Sequence, residues 1–596
     1  MKQPDLIAVQ EAGTLYGLLR ERARRSGGAE AFRQYDRTAR EWTSVTWNGA
    51  LVRADRFAAA LSGEGLAVGD RVALLLQNCI DWVSFDMGAG KLGLPVVPLY
   101  TNDALSNTAF LIADARPRVI LVDTLARWQA IAGALSDTSF IDRVWIQETG
   151  DTGDDRVRPL EEALANAAGI ETAALDMPDL PAALIYTSGT TGDPKGAILT
   201  HRAILEDAAG VARVFPSLPG DVFLSVLPLA HAFERTMGYV LAVMGGATVA
   251  YAQSLLRLRQ DLTAIRPTAI MGVPRLYESI YNSARHAASA RPLRLRLFDM
   301  TARIGWERFA ARAGLAPAPR FLDRLIWPLL AATVARRVRA AFGGRLRVAV
   351  SGGANFPAEI GQALIGLGIP MVEGYGLTEA GPVVTASTCP EYVPGTVGFP
   401  LPGIETRLGE DDELQVRSPG VMSGYWHRED ATVGAFTPDG WLRTGDLGRL
   451  DGGRVTIAGR LKHILVMSNG ENVNPVPIEE GLEADPLFDQ VCTVGDGRPF
   501  LALLAVLNRD EWNDLAGAHD LNPERPNTPA AEKIILPRIR RHLAGFPAYQ
   551  QIRAYHATLD EWTIERRLLT PTLKLRRERV VAEYADQIRE IYARGA

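Results

Sequence analysis

The sequence contains few cysteines and no long apolar run. Cys79, Cys389 and Cys492 are its only cysteines, and they lie far apart without CxxC spacing, so neither a disulfide framework nor a zinc site is expected. No segment supplies about 18 consecutive apolar residues, and the first residues lack the apolar stretch of a signal peptide. We therefore expect a cytoplasmic protein without a transmembrane helix.

The balance of charges gives no reason to expect a nucleic-acid partner. The formal net charge is -5 and the sequence pI is about 6.0, whereas phosphate backbones require a basic surface. The GxxxxGK[ST] pattern of P-loop nucleotide-binding proteins is also absent. With 47% hydrophobic and 22% charged residues, the 596-residue chain has the composition of a globular protein and the length of a multidomain one.

Short apolar runs alternate with longer helical patterns through most of the chain. Examples are RVALLLQN, LPVVPLY and PRVILVD near the N-terminus, and AALIYTS, VFLSVLPL, ATVAYA, RLRVAVSGG and PMVEGYG further on. This alternation predicts βαβ units around parallel sheets, where ligands gather at the carboxyl ends of the strands. The predicted fold class is α/β, with a large N-terminal domain of doubly wound parallel sheets.

The sequence pattern changes twice after this region. Residues 394–455 combine short strand patterns with frequent Gly, Pro and Asp, which predicts a small β-barrel-like subdomain. After GRLKHILV the chain returns to mixed patterns and ends in a charged helix. We place the N-terminal domain at residues 1–460 and a smaller, mobile α+β C-terminal domain at residues 461–596.

The segment from Arg285 to Arg347 is rich in arginine and poor in acidic residues. Leu, Phe and Trp are interleaved with the arginines. The simpler interpretation is a solvated helical face whose aliphatic stems cover the core. The alternative is a basic amphipathic surface that contacts an anionic membrane peripherally, on its cytoplasmic face.

A loop of small and hydroxylated residues follows the apolar pattern AALI. Residues 186–196 read YTSGTTGDPKG. Backbone N–H groups and hydroxyls of such a loop surround phosphate oxygens, and a lysine adds a mobile positive charge. A flexible surface loop without a ligand is the alternative. The residues expected to bind phosphate are Thr187, Ser188, Gly189, Thr190, Thr191, Gly192 and Lys195.

Four more motifs follow in order: EGYGLTE at 373–379, TGDLG at 444–448, GRLK at 459–462 and LTPTLK at 569–574. With the loop at 186–196, they resemble the adenylate-forming superfamily of acyl-CoA synthetases, luciferases and peptide-synthetase adenylation domains. Such enzymes join a carboxylate to the α-phosphorus of ATP, so cations and fixed dipoles must gather around the developing charge.

The resemblance implies a role for each ATP-binding residue in these motifs. Gly374, Tyr375 and Gly376 bind ATP, with Tyr375 against adenine. Thr378 contacts phosphate and Glu379 holds Mg2+, which suits a carboxylate beside polyphosphate. The implied ribose contacts come from Asp446, which accepts hydrogen bonds from both hydroxyls, and from Arg460.

The resemblance also implies a rotation of the C-terminal domain. Lys574 bridges the carboxylate and the α-phosphate during adenylation, a task suited to a compact, flexible charge. The domain then turns about a hinge at Lys462 and presents another face to coenzyme A. Glu565, Arg566 and Arg567 replace the Gly-containing loop expected before Lys574. The catalytic residues expected are Lys574, Thr378, Glu379 and Lys195.

Three further segments resemble the long-chain fatty acyl-CoA synthetase branch: LPLAHAFER at 227–235, GVPRLYE at 272–278 and SGGA at 351–354. A fatty acid needs a long apolar tunnel with its carboxylate at the polar end. His231 lies near that carboxylate or gates the tunnel; a packed, hydrogen-bonded histidine is the alternative. The acyl-binding residues expected are His231, Gly272, Gly352, Gly353 and Ala354.

The predicted function is ATP-dependent activation of a long-chain fatty acid to acyl-AMP with release of pyrophosphate, followed by thioesterification to coenzyme A. Mg2+ is the expected cofactor, and ATP and coenzyme A are co-substrates. The motifs leave open a medium-chain or aromatic acid, or transfer to a carrier protein. A non-catalytic protein that binds nucleotide or lipid is the alternative from another class.

Overall fold

The computed structural model describes residues 4–148, 153–187, 193–570 and 574–594. In chain order the strands are β1 Glu30–Asp36, β2 Glu41–Thr46, β3 Val72–Leu75, β4 Val96–Pro98, β5 Val119–Val122, β6 Arg143–Ile146, β7 Val157–Pro159, β8 Pro181–Thr187, β9 Lys195–Thr200, β10 Val222–Ser225, β11 Thr248–Tyr251, β12 Ala269–Gly272, β13 Val348–Ser351, β14 Met371–Tyr375, β15 Thr385–Ala386, β16 Phe399–Pro400, β17 Glu405–Leu408, β18 Glu413–Arg417, β19 Leu442–Asp451, β20 Arg454–Arg460, β21 Leu465–Val466, β22 Asn472–Val473, β23 Phe488–Val494, β24 Leu501–Leu507 and β25 Ile552–Thr558.

The α-helices lie mainly between the strands. In chain order they are α1 Val9–Ala12, α2 Leu15–Ser26, α3 Trp47–Ser62, α4 Ile80–Lys91, α5 Leu105–Ala115, α6 Leu125–Ala134, α7 Leu160–Asn166, α8 His201–Val214, α9 Leu241–Gly245, α10 Leu258–Ile265, α11 Pro274–Ser289, α12 Pro292–Arg312, α13 Phe321–Leu330, α14 Arg336–Ala341, α15 Ala358–Gly366, α16 Glu429–Ala435, α17 Val476–Glu483, α18 Arg509–Ala518, α19 Pro529–His542, α20 Arg577–Glu583 and α21 Ala585–Arg594. Two π-helical segments, Glu234–Val240 and Ala331–Ala335, lead directly into α9 and α14.

The first sheet has seven strands in the order β7-β6-β5-β3-β4-β8-β9. Its strands are parallel except for the antiparallel pair β8 and β9. The inner strands, such as VALL in β3 and VILV in β5, are buried throughout, as expected for a parallel sheet covered by helices on both faces. The register of β8 and β9 pairs Thr187 with Lys195, so the two ends of the predicted phosphate loop are neighbours.

The second sheet has nine strands in the order β16-β15-β14-β13-β12-β10-β11-β1-β2. Its central strands β11, β10, β12, β13 and β14 run parallel. Their carboxyl ends therefore meet along one edge, which is where ligands bind in open α/β sheets. Gly272 pairs with Ser351, and Ser351 with Glu373, at this edge.

One large hydrophobic core joins the two sheets. It contains the fully buried Trp47, Trp82 and Trp145 together with apolar residues from strands of both sheets. Burial of a Val, Leu or Ile side chain contributes about 1.5–3 kcal/mol, so the two sheets stabilise each other. Met237, Tyr239, Val240 and Leu241 belong to this core as well.

The third sheet is antiparallel, in the order β17-β18-β19-β20. It lies within the predicted β-rich subdomain and extends to Arg460. Phe399–Pro400, also within residues 394–455, pairs instead with β15 of the second sheet. In the third sheet Asp446 of β19 is the cross-strand partner of Arg460 of β20.

The C-terminal part of the chain has hydrophobic clusters of its own. The sheet β23-β24-β25 separates two clusters, one formed with α17, α18 and α19 and the other with α20 and α21. Every buried member of these two clusters lies between residues 465 and 592. The predicted α/β class with a separate C-terminal unit is confirmed. The proposed boundary at residue 460 stays a prediction.

Across the residues that the structure describes, no helix has both the length and the hydropathy needed to cross a membrane.

Candidate active site

Asp446 lies at the centre of a polar group on the third sheet. Its Oδ2 accepts a hydrogen bond of 2.7 Å from the Tyr375 hydroxyl, and its Oδ1 lies 2.9 Å from Nε of Arg460. Asp446 is buried, and Arg460 is partly exposed. Burial, followed by the Asp446 charge, raises the pKa of Tyr375 well above its usual value. Tyr375 is therefore a neutral donor, and both oxygens of the aspartate have a protein partner.

Glu379 lies in a short 3-10 helix, Thr378–Ala380, just after β14. Its Oε1 accepts hydrogen bonds from the Tyr425 hydroxyl at 2.9 Å and from Thr187 Oγ1 at 3.3 Å. Thr187 is the last residue of β8, so the carboxylate lies beside the start of the predicted phosphate loop. Thr378 is half-buried at the first position of the same short helix.

Lys195 lies on the other side of Tyr425. Its Nζ is 5.3 Å from the centre of the Tyr425 ring, a distance typical of a cation–π contact. Backbone bonds fix this arrangement, because Trp426 N donates to Gly196 O at 2.8 Å and Ile198 N to Gly424 O at 3.0 Å. The tyrosine thus contacts Lys195 through its ring and Glu379 through its hydroxyl.

Lys574 enters the same cleft from the C-terminal part of the chain. A turn positions it: Thr570 N donates to Lys574 O at 2.8 Å, and Lys574 N donates to Thr570 Oγ1 at 3.0 Å. The residue is exposed to solvent. Desolvation in the cleft and the Arg460 cation lower the pKa of Lys574 to about 8, while Asp446 and Glu379 act in the opposite direction.

The loop before Lys574 lacks the expected glycine but contains one residue with a positive φ. Arg567 has φ 59°, in the left-handed region that glycine usually occupies. Its guanidinium donates to the Ser106 hydroxyl at the start of α5. Arg567 therefore links the C-terminal part to the first sheet while it holds the turn that precedes Lys574.

Lys462 lies in the 3-10 helix Leu461–His463, directly after β20. Desolvation lowers its pKa, and Arg460 and Lys195 act in the same direction, while Glu578 and Asp446 oppose them. Lys462 is therefore close enough to these groups to be affected by their charges. Its predicted role as a hinge stays a prediction.

His231 lies between strand β10 and the π-helical segment. Its Nδ1 accepts a hydrogen bond of 3.2 Å from Phe233 N, so the proton of the neutral ring is on Nε2. Burial, with a smaller effect of the Lys574 cation, lowers the pKa of His231 to about 3. The histidine is thus neutral, internally hydrogen-bonded and near Lys574, so both interpretations made from the sequence remain compatible with its position.

The expected acyl-binding glycines meet at the edge of the second sheet. Gly352 N donates to Gly272 O at 3.1 Å. A Cβ added at Gly352 would lie 3.3 Å from the Phe233 ring and 3.5 Å from Gly374 O. Gly353 has φ 81°, which a residue with a side chain rarely adopts. Ala354 follows on the surface, exposed to solvent.

Gly376 is required by a close backbone contact. A Cβ at this position would lie 1.8 Å from Pro382 O. The glycine lets the end of β14 pass close to the loop that contains Pro382. Tyr375 and Glu379 lie on either side of this contact in the chain.

The predicted phosphate-binding residues Ser188, Gly189, Thr190, Thr191 and Gly192 lie outside the described residues.

Tyr425 and His463 are site residues that the sequence did not indicate. Tyr425 belongs to no charged or glycine-rich motif and reaches the site only because its backbone pairs with Ala197 of β9. His463 lies beside Lys462, with its Nε2 buried and unpartnered among the described residues. Burial, together with Arg577 and Arg460, lowers the pKa of His463 to about 4.

The protein provides few direct ligands for a metal. Among the described residues, no cluster of three or more His, Cys, Asp or Glu side chains could hold an ion. Glu379, with the hydroxyls of Thr187 and Tyr425 beside it, offers a single carboxylate. This donor set fits Mg2+, which commonly binds through one or two carboxylates and the phosphates of a substrate.

Comparisons with known proteins match nearly the whole chain. The AMP-binding enzyme family model matches residues 19–426, and the model of the AMP-binding enzyme C-terminal domain matches residues 462–596. A long-chain-fatty-acid–CoA ligase of Mycobacterium bovis is 34% identical over 574 residues, covering 92% of this chain and 92% of that protein.

A more distant relative and a solved structure agree with this match. A chloroplastic long-chain-fatty-acid–[acyl-carrier-protein] ligase of Arabidopsis thaliana is 27% identical, covering 90% of this chain and 81% of that protein. The adenylation domain of a carboxylate reductase from Mycobacterium chelonae superposes with a TM-score of 0.76 at 22% identity, covering 97% of this chain and 91% of that one. At this sequence identity the superposition shows a shared fold and nothing more.

Proposed function

The chain belongs to the AMP-binding enzyme family, and on this premise we propose that it activates a long-chain fatty acid with ATP and transfers the acyl group to coenzyme A. The observation that carries the proposal is the position of Lys574. A lysine from the C-terminal part of the chain lies in the cleft where Asp446, Arg460 and Glu379 act on its charge.

The first step joins the acid to the nucleotide. A carboxylate oxygen of the fatty acid attacks the α-phosphorus of ATP, a P–O bond forms, and the bond to the leaving pyrophosphate breaks. Two anions must approach each other, so Lys574 and Lys195 lower the electrostatic cost of the transition state. Asp446 and Tyr375 hold the nucleoside in place, which restricts the orientation of the reacting phosphate.

Glu379 is the residue that would hold Mg2+. When bound, the ion neutralises charge on phosphate oxygens as a Lewis acid. The Tyr425 and Thr187 hydroxyls orient the Glu379 carboxylate through hydrogen bonds to its Oε1. Their role is to keep that carboxylate facing the phosphate loop.

The second step transfers the acyl group. The thiolate of coenzyme A attacks the carbonyl carbon of acyl-AMP, the thioester bond forms, and AMP leaves with the electron pair of the broken C–O bond. Lys574 has no task in this step. We expect the C-terminal domain to turn about Lys462 between the two steps. A hinge motion of this kind requires a change of backbone conformation at only a few residues.

The choice of a long-chain acid is supported by the ligase of Mycobacterium bovis at 34% identity. His231, Phe233, Gly272 and Gly352 would present the carboxylate end, since they lie together at the edge of the second sheet near Lys574. The apolar chain would extend from there into the interior.

The test is pyrophosphate release from ATP and Mg2+ with saturated acids from short to long, measured with and without coenzyme A. We expect release to peak with long acids and coenzyme A to be consumed to a thioester. If only aromatic or medium-chain acids supported release, those acids would replace the long-chain acid as the proposed substrate. Absence of release with every acid, although ATP binds, would favour the non-catalytic alternative.

Transfer to a carrier protein is the second candidate. It is favoured by the relative in Arabidopsis thaliana that is named an acyl-carrier-protein ligase. A competition assay with equal concentrations of coenzyme A and holo-acyl carrier protein separates the two acceptors. Exclusive labelling of the carrier protein would replace coenzyme A in the proposal.

A further inference from the structure

Helix α13 exposes its most apolar face to solvent. Phe321, Leu322, Leu325 and Leu329 are 73%, 72%, 62% and 67% exposed, respectively, and Ile326 is also exposed. Their spacing places them on one side of the helix. The opposite side carries the buried Asp323 and Leu330. A soluble protein rarely leaves so many large apolar side chains together in water.

The surroundings of this face are strongly basic. Residues 285–347 contain 14 arginines, no lysine and three acidic residues, in a protein whose net charge is -5. The acidic side chains are already paired: Asp299 with Arg285, and both Glu307 and Asp323 with Arg303. The segment therefore offers no further acidic side chain that could neutralise its other arginines.

A small cavity beneath α13 collects three of these arginines. It has a volume of about 200 Å3 and lies between α12 and the continuous helix formed by α13, the π-helical segment Ala331–Ala335 and α14. Arg308, Arg312 and Arg339 line it together with Trp327. In the part of the chain that the structure describes, none of the three forms a salt bridge. Arg308 lies over the Trp327 ring at 5.4 Å.

We infer that this surface docks on an anionic lipid bilayer, with the apolar face of α13 inserted between the lipids and a lipid phosphate bound by Arg308, Arg312 and Arg339. Guanidinium groups bind phosphate oxygens in pairs, with better geometry than lysine offers. Apolar side chains rimmed by arginine are typical of helices that lie in the membrane interface.

The charge pattern argues against a second copy of this chain as the occupant. In a two-fold symmetric contact the same surface meets itself, so the arginine rims of both copies would face each other. Like charges across an interface are costly. An anionic bilayer instead supplies both the apolar interior and the negative charge that this surface matches.

The test is sedimentation of the full-length protein with vesicles of phosphatidylcholine, with and without phosphatidylglycerol. We expect binding only to the anionic vesicles. Raising the salt from about 0.1 M to about 1 M should release the protein, since the Debye length falls from about 10 Å to about 3 Å. Equal binding to both kinds of vesicle, or no binding to either, would overturn the inference.

Two variants separate the parts of the surface. The triple change Leu322→Ser, Leu325→Ser, Leu329→Ser should weaken anionic-vesicle binding at least about tenfold. The triple change Arg308→Gln, Arg312→Gln, Arg339→Gln should weaken it about 100-fold, since each arginine near an anionic surface contributes about fivefold. Val433→Ser and Arg553→Gln, which change exposed residues of other elements, are the matched controls.

Pyrophosphate release with a water-soluble acid should be unchanged in all variants, because none of these residues lies in the catalytic cleft, and thermal unfolding checks that each variant is folded. Binding that both triple variants retain would overturn the inference. So would sedimentation velocity without vesicles that shows a dimer in the wild type and a monomer in the leucine variant, because the apolar face would then belong to a second copy. We expect a monomer in both.

Discussion

Arg460 and Asp446 are cross-strand partners whose side chains form an ion pair, with Nε of Arg460 2.9 Å from Oδ1 of Asp446. The antiparallel register of β19 and β20 places both side chains on one face of the third sheet. The second oxygen of Asp446 accepts the Tyr375 hydroxyl of the second sheet at 2.7 Å. One carboxylate thus joins two sheets, and these two contacts fix its orientation.

Asp446→Ala should mainly weaken the binding of ATP. A hydrogen bond to a charged group contributes about 1.5–3 kcal/mol, so we expect the KM for ATP to rise about 10–100-fold. The measurement is ATP-dependent pyrophosphate release at saturating acid. Asp439→Ala is the control, because Asp439 pairs with Arg407 on the surface. An unchanged KM for ATP would contradict the proposed ribose contact.

Lys574→Ala should separate the two half-reactions. Formation of acyl-AMP should fall by at least about 100-fold, since an electrostatic contact made in the transition state is lost. Thioester formation from supplied acyl-AMP should stay within about twofold of the wild type. Single-turnover assays of each half-reaction measure the two effects. Equal loss in both would mean that the lysine supports the fold or both steps.

The pH dependence of adenylation should follow the charge of Lys574. Its pKa is lowered to about 8, so the ammonium is present below that pH and is lost as the pH rises through it. We expect kcat/KM for pyrophosphate release to fall above pH 8, since this parameter reports the free enzyme. In Lys574→Arg the side chain stays charged, so the alkaline fall should disappear even if the rate is lower. An identical alkaline limb in both enzymes would assign it to another group.

The strands were predictable because their signals are local, and the candidate nucleotide-binding residues could be proposed for the same reason. Apolar runs such as VALL and VILV predict buried strands where they alternate with helical patterns, and β3 and β5 form there. Asp446 and Arg460 each belong to a short motif whose chemistry suits a ribose. Their mutual ion pair depends on strand register, and register is a tertiary property.

Tyr425 was not predictable because its contact with Glu379 spans 46 residues and depends on a loop that pairs with β9. Helix α13 is a second case that depends on tertiary packing. Its pattern FLDRLIWPLL would ordinarily predict a face turned toward the core. The structure exposes that face instead, because Asp323 and Leu330 occupy the buried side.

Tyr425→Phe should weaken the response to Mg2+ and leave ATP affinity at saturating Mg2+ nearly unchanged. The substitution removes the hydroxyl that donates to Glu379 at 2.9 Å but keeps the ring beside Lys195. We expect about tenfold more Mg2+ to be needed for half-maximal rate, from the loss of one charged hydrogen bond. Tyr549→Phe, at a partly exposed position in the C-terminal part, is the control. A variant with the wild-type Mg2+ dependence would show that Thr187 and the phosphates suffice to orient Glu379.

Gly305→Ala should destabilise the protein, because helices α12 and α15 cross with almost no space between their backbones. A Cβ at Gly305 would lie 1.9 Å from Gly366 O, and one at Gly366 would lie 1.9 Å from Ala302 O. The helices would have to separate, and overpacking of this kind costs about 1–3 kcal/mol. The matched control is Gly133→Ala in α6, where an added Cβ meets nothing within 4 Å. That change should stabilise the protein by about 0.4–1 kcal/mol, since it restricts the unfolded chain. Urea unfolding of both variants measures the free energy of unfolding, which should fall in Gly305→Ala and rise in Gly133→Ala. A Gly305→Ala protein as stable as the wild type would mean that α12 moves freely over α15, and the cavity lined by Arg308 and Arg339 would then change shape with it.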